Sequence, residues 1–244
     1  MLFQNNCQSF NHLFTSLRSR YDESLLEGDI WGRNDMHSHN MTLPQLADLV
    51  YDDTWHKAVF YREPLVRYLS AYRSKCEVGH DDGFELCTAL FGKPNPTFAE
   101  AVERLTQDPP VDNPHFRPQV DFCGGLGAIL PQFQTVEALD PRTSRDAVAA
   151  LLRRVGVADP EGVPAFNERF PPFDAAAGAW RPNDSYARHT TDAAAAVEAY
   201  YTPYLACVVV THFLDDYLTF GVAVPEWAWR LGLRDVGGDC AALR

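Results

Sequence analysis

Apolar positions along the chain recur with a helical period in some stretches and run together in others. Between residues 7 and 19 (CQSFNHLFTSLRS), Phe10, Leu13, Phe14 and Leu17 stand at i, i+3, i+4 and i+7, which predicts a helix with one apolar face. Residues 57–61, KAVFY, are a short apolar run and read as a buried strand. Pro64 suits a first helical turn. After it, Leu65, Leu69, Tyr72 and Cys76 make a core-facing stripe. At about 100° per residue, Arg62, Val66, Ser70 and Arg73 fall on an adjoining, polar stripe.

Further on, 84–91 and 97–107 read as helical, and 133–139 (FQTVEAL) as a second buried strand. Residues 143–155 predict a helix with Thr143 as cap and Arg153 and Arg154 in the last turn. The stretch 158–188 is rich in Pro, Ala and Gly and is expected to be loop, whereas 191–220 reads as helical again. Helices alternating with short β-rich runs indicate an α/β domain with a mostly parallel sheet. A length of 244 residues fits a single domain over 1–244.

Composition is globular, with 46% hydrophobic and 22% charged residues. No run of about 18 apolar residues occurs, so no transmembrane segment is expected. The first ten residues, MLFQNNCQSF, lack the basic and apolar regions of a signal peptide. The net charge of −12, from 33 acidic against 21 basic residues, argues against a nucleic-acid partner, which needs a broad basic surface. The six cysteines (7, 76, 87, 123, 207 and 240) lack zinc-site spacing and are compatible with one or two bridges. Cys123 is a candidate for pairing, with no partner identifiable.

Against that acidic background, residues 61–76 (YREPLVRYLSAYRSKC) gather Arg62, Arg67, Arg73 and Lys75 around Ser70. A strand ending in Arg62, followed by a helix exposing Ser70 on the matching face, makes a phosphate clamp: a planar fork of donors plus a hydroxyl. The plain alternative is an amphipathic helix with a solvated basic face. His115, between Pro114 and Pro118, is a candidate general base or an ordinary loop histidine. His37 and His39 (DMHSHN) have no third metal ligand at recognisable spacing, so no metal is expected. His212, inside an apolar helix, is expected to be a hydrogen-bonded core residue.

FYREPLVRYLSAYRSK closely resembles the 3′-phosphate-binding motif of sulfotransferases, R-x-P-x-x-R-x-x-S-A-Y, and more narrowly the membrane-type carbohydrate sulfotransferases of the Golgi. NPHFRPQVDFC (113–123) resembles that family's H-W/F-x-P-Q…C segment. Residues 198–221 resemble its closing helix, which ends in Y-x-x-D-(F/Y)-x-x-F-G; here Asp215, Asp216 and Tyr217 precede Phe220-Gly221. The opening turn is similar to the family's P-K-x-G-C-x-S loop at Cys7 and Ser9, but Gln4 stands at the lysine position and Asn6 at the glycine.

The resemblance implies a P-loop-like three-layer α/β fold, a short parallel sheet flanked by helices. It implies transfer of a sulfuryl group from 3′-phosphoadenosine 5′-phosphosulfate (PAPS) to a carbohydrate hydroxyl, without metal, in the Golgi lumen or secretory pathway. Arg62 and Ser70 would hold the 3′-phosphate. Asn5, Asn6, Cys7, Gln8, Ser9 and Phe10 would hold the 5′-phosphosulfate through backbone N–H groups at a helix N-terminus. His189 and Thr190 resemble a donor-side loop, with a helix cap at Thr191 as the plain alternative. Arg33, His37, His39 and Arg117 would face the acceptor.

His115 would be the base, and Gln4 would serve the leaving oxygen without the lysine's charge. Losing such a contact costs about 2.7–4 kcal/mol of barrier, roughly 10²–10³ in rate. The resemblance also implies a first strand cut to a stub at residues 1–3 and an extension over 222–244. The competing expectation is a degenerate or truncated relative that binds nucleotide or glycan without turnover. A nucleotide kinase of similar architecture would need G-x-x-x-x-G-K-[ST], which is absent.

Overall fold

A computed structural model describes residues 7–19, 42–77, 84–174, 192–232 and 239–244. In chain order the elements begin with α1 (Cys7–Ser19), α2 (Leu43–Tyr51), β1 (Ala58–Tyr61), α3 (Pro64–Lys75), α4 (Phe84–Phe91) and α5 (Phe98–Glu103). They continue with α6 (Leu126–Ile129), β2 (Thr135–Ala138), α7 (Ser144–Arg154) and α8 (Pro164–Arg169). The last are α9 (Ala193–Tyr200), α10 (Pro203–His212), α11 (Leu214–Phe220) and α12 (Glu226–Arg230). The backbone divides into two compact units, 1–61 with 128–187, and 62–127 with 188–244.

In the first unit, β1 and β2 pair in parallel from Ala58 opposite Thr135 to Tyr61 opposite Ala138. That is the parallel pairing expected of an α/β chain, in a short two-stranded form. The apolar face read from the sequence of α1 is buried: Phe10 and Leu13 are fully enclosed, with Phe60, Val148, Leu152, Phe166 and Phe170. The Phe10 ring lies 4.9 Å from Phe60 and 5.1 Å from Phe170. Each such side chain contributes about 1.5–3 kcal/mol of burial.

The stretch expected to be loop from 158 contains structure. The Asp159 carboxylate accepts from Gly162 N–H to start a 3-10 turn, and Pro164 then opens α8. Phe166 drives that helix into the core, a signal masked by the surrounding Pro, Ala and Gly. Thr143 precedes α7 as expected, but its hydroxyl makes no capping bond.

In the second unit the α3 stripe of Leu65, Leu69, Tyr72 and Cys76 is buried as predicted, and Tyr68 joins it. Buried tyrosine hydroxyls need acceptors. Tyr68 donates to Ala101 O at 2.6 Å, Tyr72 to Pro96 O at 2.9 Å and Tyr201 to Leu65 O at 2.8 Å. The predicted helix at 97–107 is α5 followed by a 3-10 turn, started by a Thr97–Glu100 capping box. The stretch expected to be helical from 191 is made of three helices. Thr202 caps Leu205 N–H and Pro203 opens α10, which forces a break at Tyr201. Disulfides join Cys76 to Cys87 and Cys207 to Cys240.

Candidate functional site

β1 ends at Tyr61 and α3 begins at Pro64, so Arg62 and Glu63 form the whole connection. Glu63 is the N-cap: its carboxylate accepts from Leu65 N–H at 3.1 Å and Val66 N–H at 2.8 Å. The Tyr217 hydroxyl donates to the same carboxylate, whose pKa burial pushes up. A carboxylate at this end also suits the helix dipole.

Arg62 leaves the strand and reaches along α3. Its Nη1 donates to the Ser70 hydroxyl at 3.1 Å, two turns into the helix. Burial lowers the pKa of this guanidinium, and arginine stays charged regardless. Among the described residues no carboxylate lies within ion-pair distance of it. A half-buried cation without a neutralising side chain is poised for an anion.

The other three cations of the cluster have different work. Arg67 is 3% exposed. Its Nη1 donates to Arg117 O at 2.7 Å and its Nη2 to Pro114 O at 3.0 Å, so one fork spans the turn that carries His115. Its guanidinium also sits 5.8 Å from the centre of the Phe122 ring. Arg73 pairs with Glu77 at 2.8 Å and lies over the Tyr200 ring. Lys75, in the last turn, is half-buried and lowers the pKa of His115.

His115 is held in a tight turn. Asn113 accepts from the His115 N–H through its side chain at 2.9 Å and from Phe116 and Arg117 through its carbonyl. Phe116 anchors the turn in the core, 5.5 Å from the Tyr68 ring. Burial, then the Lys75 ammonium and the Arg67 guanidinium, bring the His115 pKa down to about 4. The ring is therefore neutral at physiological pH and can accept a proton. Arg117 pairs with Asp112 on the same loop.

A buried polar chain underlies Arg62. Gln119 Oε1 accepts from Arg62 N–H at 2.9 Å, and Gln119 Nε2 donates to Arg62 O at 2.9 Å. The same Nε2 donates to Asp216 Oδ2 at 3.1 Å, which also takes the Gln119 N–H at 3.0 Å. Val120 N–H donates to Asp216 Oδ1 at 2.9 Å. The three stretches that carry the sequence resemblance thus meet at Arg62, Gln119 and Asp216. Neither Gln119 nor Asp216 emerges as a site residue from the sequence. The available signals were the glutamine ending 113–119 and the acid in a largely apolar helix.

The remaining predicted residues divide by position. Gln4, Asn5, Asn6, Arg33, His37, His39, His189 and Thr190 lie outside the described residues, as does Thr191. Cys7 and Gln8 open α1, whose first N–H groups have no partner within the helix. Ser9 and Phe10 are buried, and Phe10 is core, so its side chain cannot meet an anion. His212 is half-buried against Phe213, and burial lowers its pKa. Cys123 belongs to neither disulfide described above. Among the described residues no group of three or more His, Cys, Asp or Glu could hold a metal ion.

No curated protein and no solved structure matches the chain. A sequence model of the sulfotransferase family matches residues 6–222, a span that takes in α1, the strand-to-helix link at Arg62, the His115 turn and α11. With most of the chain matched and those segments in place, this protein belongs to the sulfotransferase family.

Proposed function

We propose that this sulfotransferase takes PAPS as donor and a carbohydrate hydroxyl as acceptor. The observation that carries the reading is the Arg62–Ser70 pair, a desolvated guanidinium and a hydroxyl 3.1 Å apart with, among the described residues, no carboxylate to neutralise the charge. A nucleotide 3′-phosphate, bearing about −1.5 to −2 charge, supplies that neutralisation and accepts from both groups.

His115 is the general base. As the acceptor oxygen attacks sulfur, its proton passes to the neutral imidazole. The bond from sulfur to the 5′-phosphate oxygen breaks, and 3′-phosphoadenosine 5′-phosphate departs with the electron pair. The depressed pKa keeps the ring unprotonated, although it weakens the base; the negative charge of a bound donor would raise it again. Asn5 to Phe10 keep the phosphosulfate role that the resemblance implies, and a glutamine at position 4 would offer the leaving oxygen a neutral hydrogen bond. Strongly acidic glycans are disfavoured by the net charge of −12. Two disulfides favour an oxidising compartment, in line with the secretory pathway.

Calorimetry with 3′-phosphoadenosine 5′-phosphate tests the donor, and turnover of PAPS against neutral glycans tests the reaction. Binding that disappears in Arg62→Ala, with sulfated product from the unaltered chain, is the expected result. Binding that ignores Arg62→Ala rejects the clamp. Nucleotide binding with no product from any acceptor would favour the second reading, a relative that keeps the donor site but not the reaction. The glutamine at position 4 is the observation behind that alternative.

A further inference from the structure

We infer that Gln119 and Asp216 are positioning residues that set the selectivity for a 3′-phosphorylated nucleotide by gripping the main chain of Arg62, an inference that rests on the clamp reading above. Gln119 is 1% exposed and Asp216 fully buried. Neither side chain meets solvent, and Gln119 reaches the clamp through the main chain of Arg62.

The grip is two-sided. Gln119 takes the N–H of Arg62 and supplies a donor to its carbonyl, both at 2.9 Å, as a neighbouring strand would. Only a side-chain amide offers a donor and an acceptor in one plane at that reach. Asp216 determines which way the amide faces. Its Oδ2 requires the NH₂ end at 3.1 Å, and it accepts from the Gln119 and Val120 N–H groups, so the glutamine cannot flip.

A buried carboxylate is costly unless fully hydrogen-bonded. Simple closure of a strand end does not call for one. What the chain gains is a guanidinium whose root is immobile at both peptide bonds, with its fork left to meet Ser70 and an anion. Less conformational freedom is then lost when the phosphate arrives.

The test compares dissociation constants of 3′-phosphoadenosine 5′-phosphate and adenosine 5′-phosphate, by calorimetry, on the full chain. The unaltered chain should prefer the 3′-phosphorylated nucleotide by about tenfold or more, since charge-assisted bonds are worth ~1.5–3 kcal/mol. In Gln119→Met that ratio should fall by roughly fivefold or more, while affinity for adenosine 5′-phosphate holds within about twofold. A merely structural role lowers both affinities together through the folded fraction and leaves the ratio untouched, which overturns the inference.

No preference in the unaltered chain removes the clamp reading itself, and this inference with it. Should Gln119→Met fail to fold, Asp216→Asn keeps the shape and carries the same readout. If neither variant folds, hydrogen exchange at the Arg62 amide of the unaltered chain decides. Protection before nucleotide is added supports a preset grip, and protection that appears only on binding overturns it.

Discussion

Arg62 donates to Ser70 across 3.1 Å, joining the end of the first strand to the second turn of α3. On the proposed reading the two groups form one receptor for a phosphate. Arg62→Ala should weaken 3′-phosphoadenosine 5′-phosphate binding by ~1.5–3 kcal/mol, and Ser70→Ala by ~0.5–1.5 kcal/mol. The double variant should cost less than the sum, because both touch the same anion. A calorimetric double-mutant cycle measures the coupling; strict additivity would place the two groups on separate ligands.

Arg67 should separate binding from chemistry. Arg67→Met leaves Pro114 O and Arg117 O short of donors, at about 1–3 kcal/mol each, and releases the turn that holds His115. Urea unfolding should show that loss, and the folded fraction should keep its nucleotide affinity while kcat drops. Arg67→Lys should recover only part, since an ammonium cannot span both carbonyls.

His115 titration has a defined direction. Its folded pKa lies near 4 against an ordinary 6.5, so between those values the unfolded chain binds more protons. The resulting stability is present above about pH 6.5 and drains away as pH falls towards 4. Ring-proton resonance should locate the midpoint near 4 and move it up in Lys75→Met. A midpoint at or above 6.5 would contradict the burial described for this ring.

The two disulfides should differ in weight. Their sequence separations are 33 for Cys207–Cys240 and 11 for Cys76–Cys87. Closure of the unfolded chain then stabilises by roughly 4 and roughly 3 kcal/mol. Paired Cys→Ala variants, compared by denaturant midpoint, should rank in that order.

Gln4→Lys should supply the charge that, by the resemblance, faces the leaving oxygen. Turnover of PAPS should rise by about tenfold or more, within the range of one such contact. Unchanged turnover would mean that Gln4 and residues 5–10 do not work as the resemblance implies.

Periodicity made α1 and α3 legible, because each has one apolar face, and the arginines of its last turn marked α7. Both strands were readable as short apolar runs. Alpha8 was hidden, since six residues among Pro, Ala and Gly carry too little repeat to register. In the candidate site, Arg62, Ser70 and His115 stood out because they are chemically unusual for an acidic chain. The burial of Arg67 did not, as its charge suggested solvent, and only three-dimensional packing supplies the two carbonyls that receive it. Gln119 was silent for a related reason: an uncharged amide acquires meaning only from what it faces.

Twelve residues of α3 carry Ser70 near the middle, Arg67 one turn earlier and Lys75 at the end. The proposed phosphate receptor and the side chain that holds the His115 turn therefore ride on a common chassis. If this rod rocks as a body, the phosphate receptor and the imidazole's turn shift together, and their spacing survives thermal motion that would scramble groups mounted on independent loops.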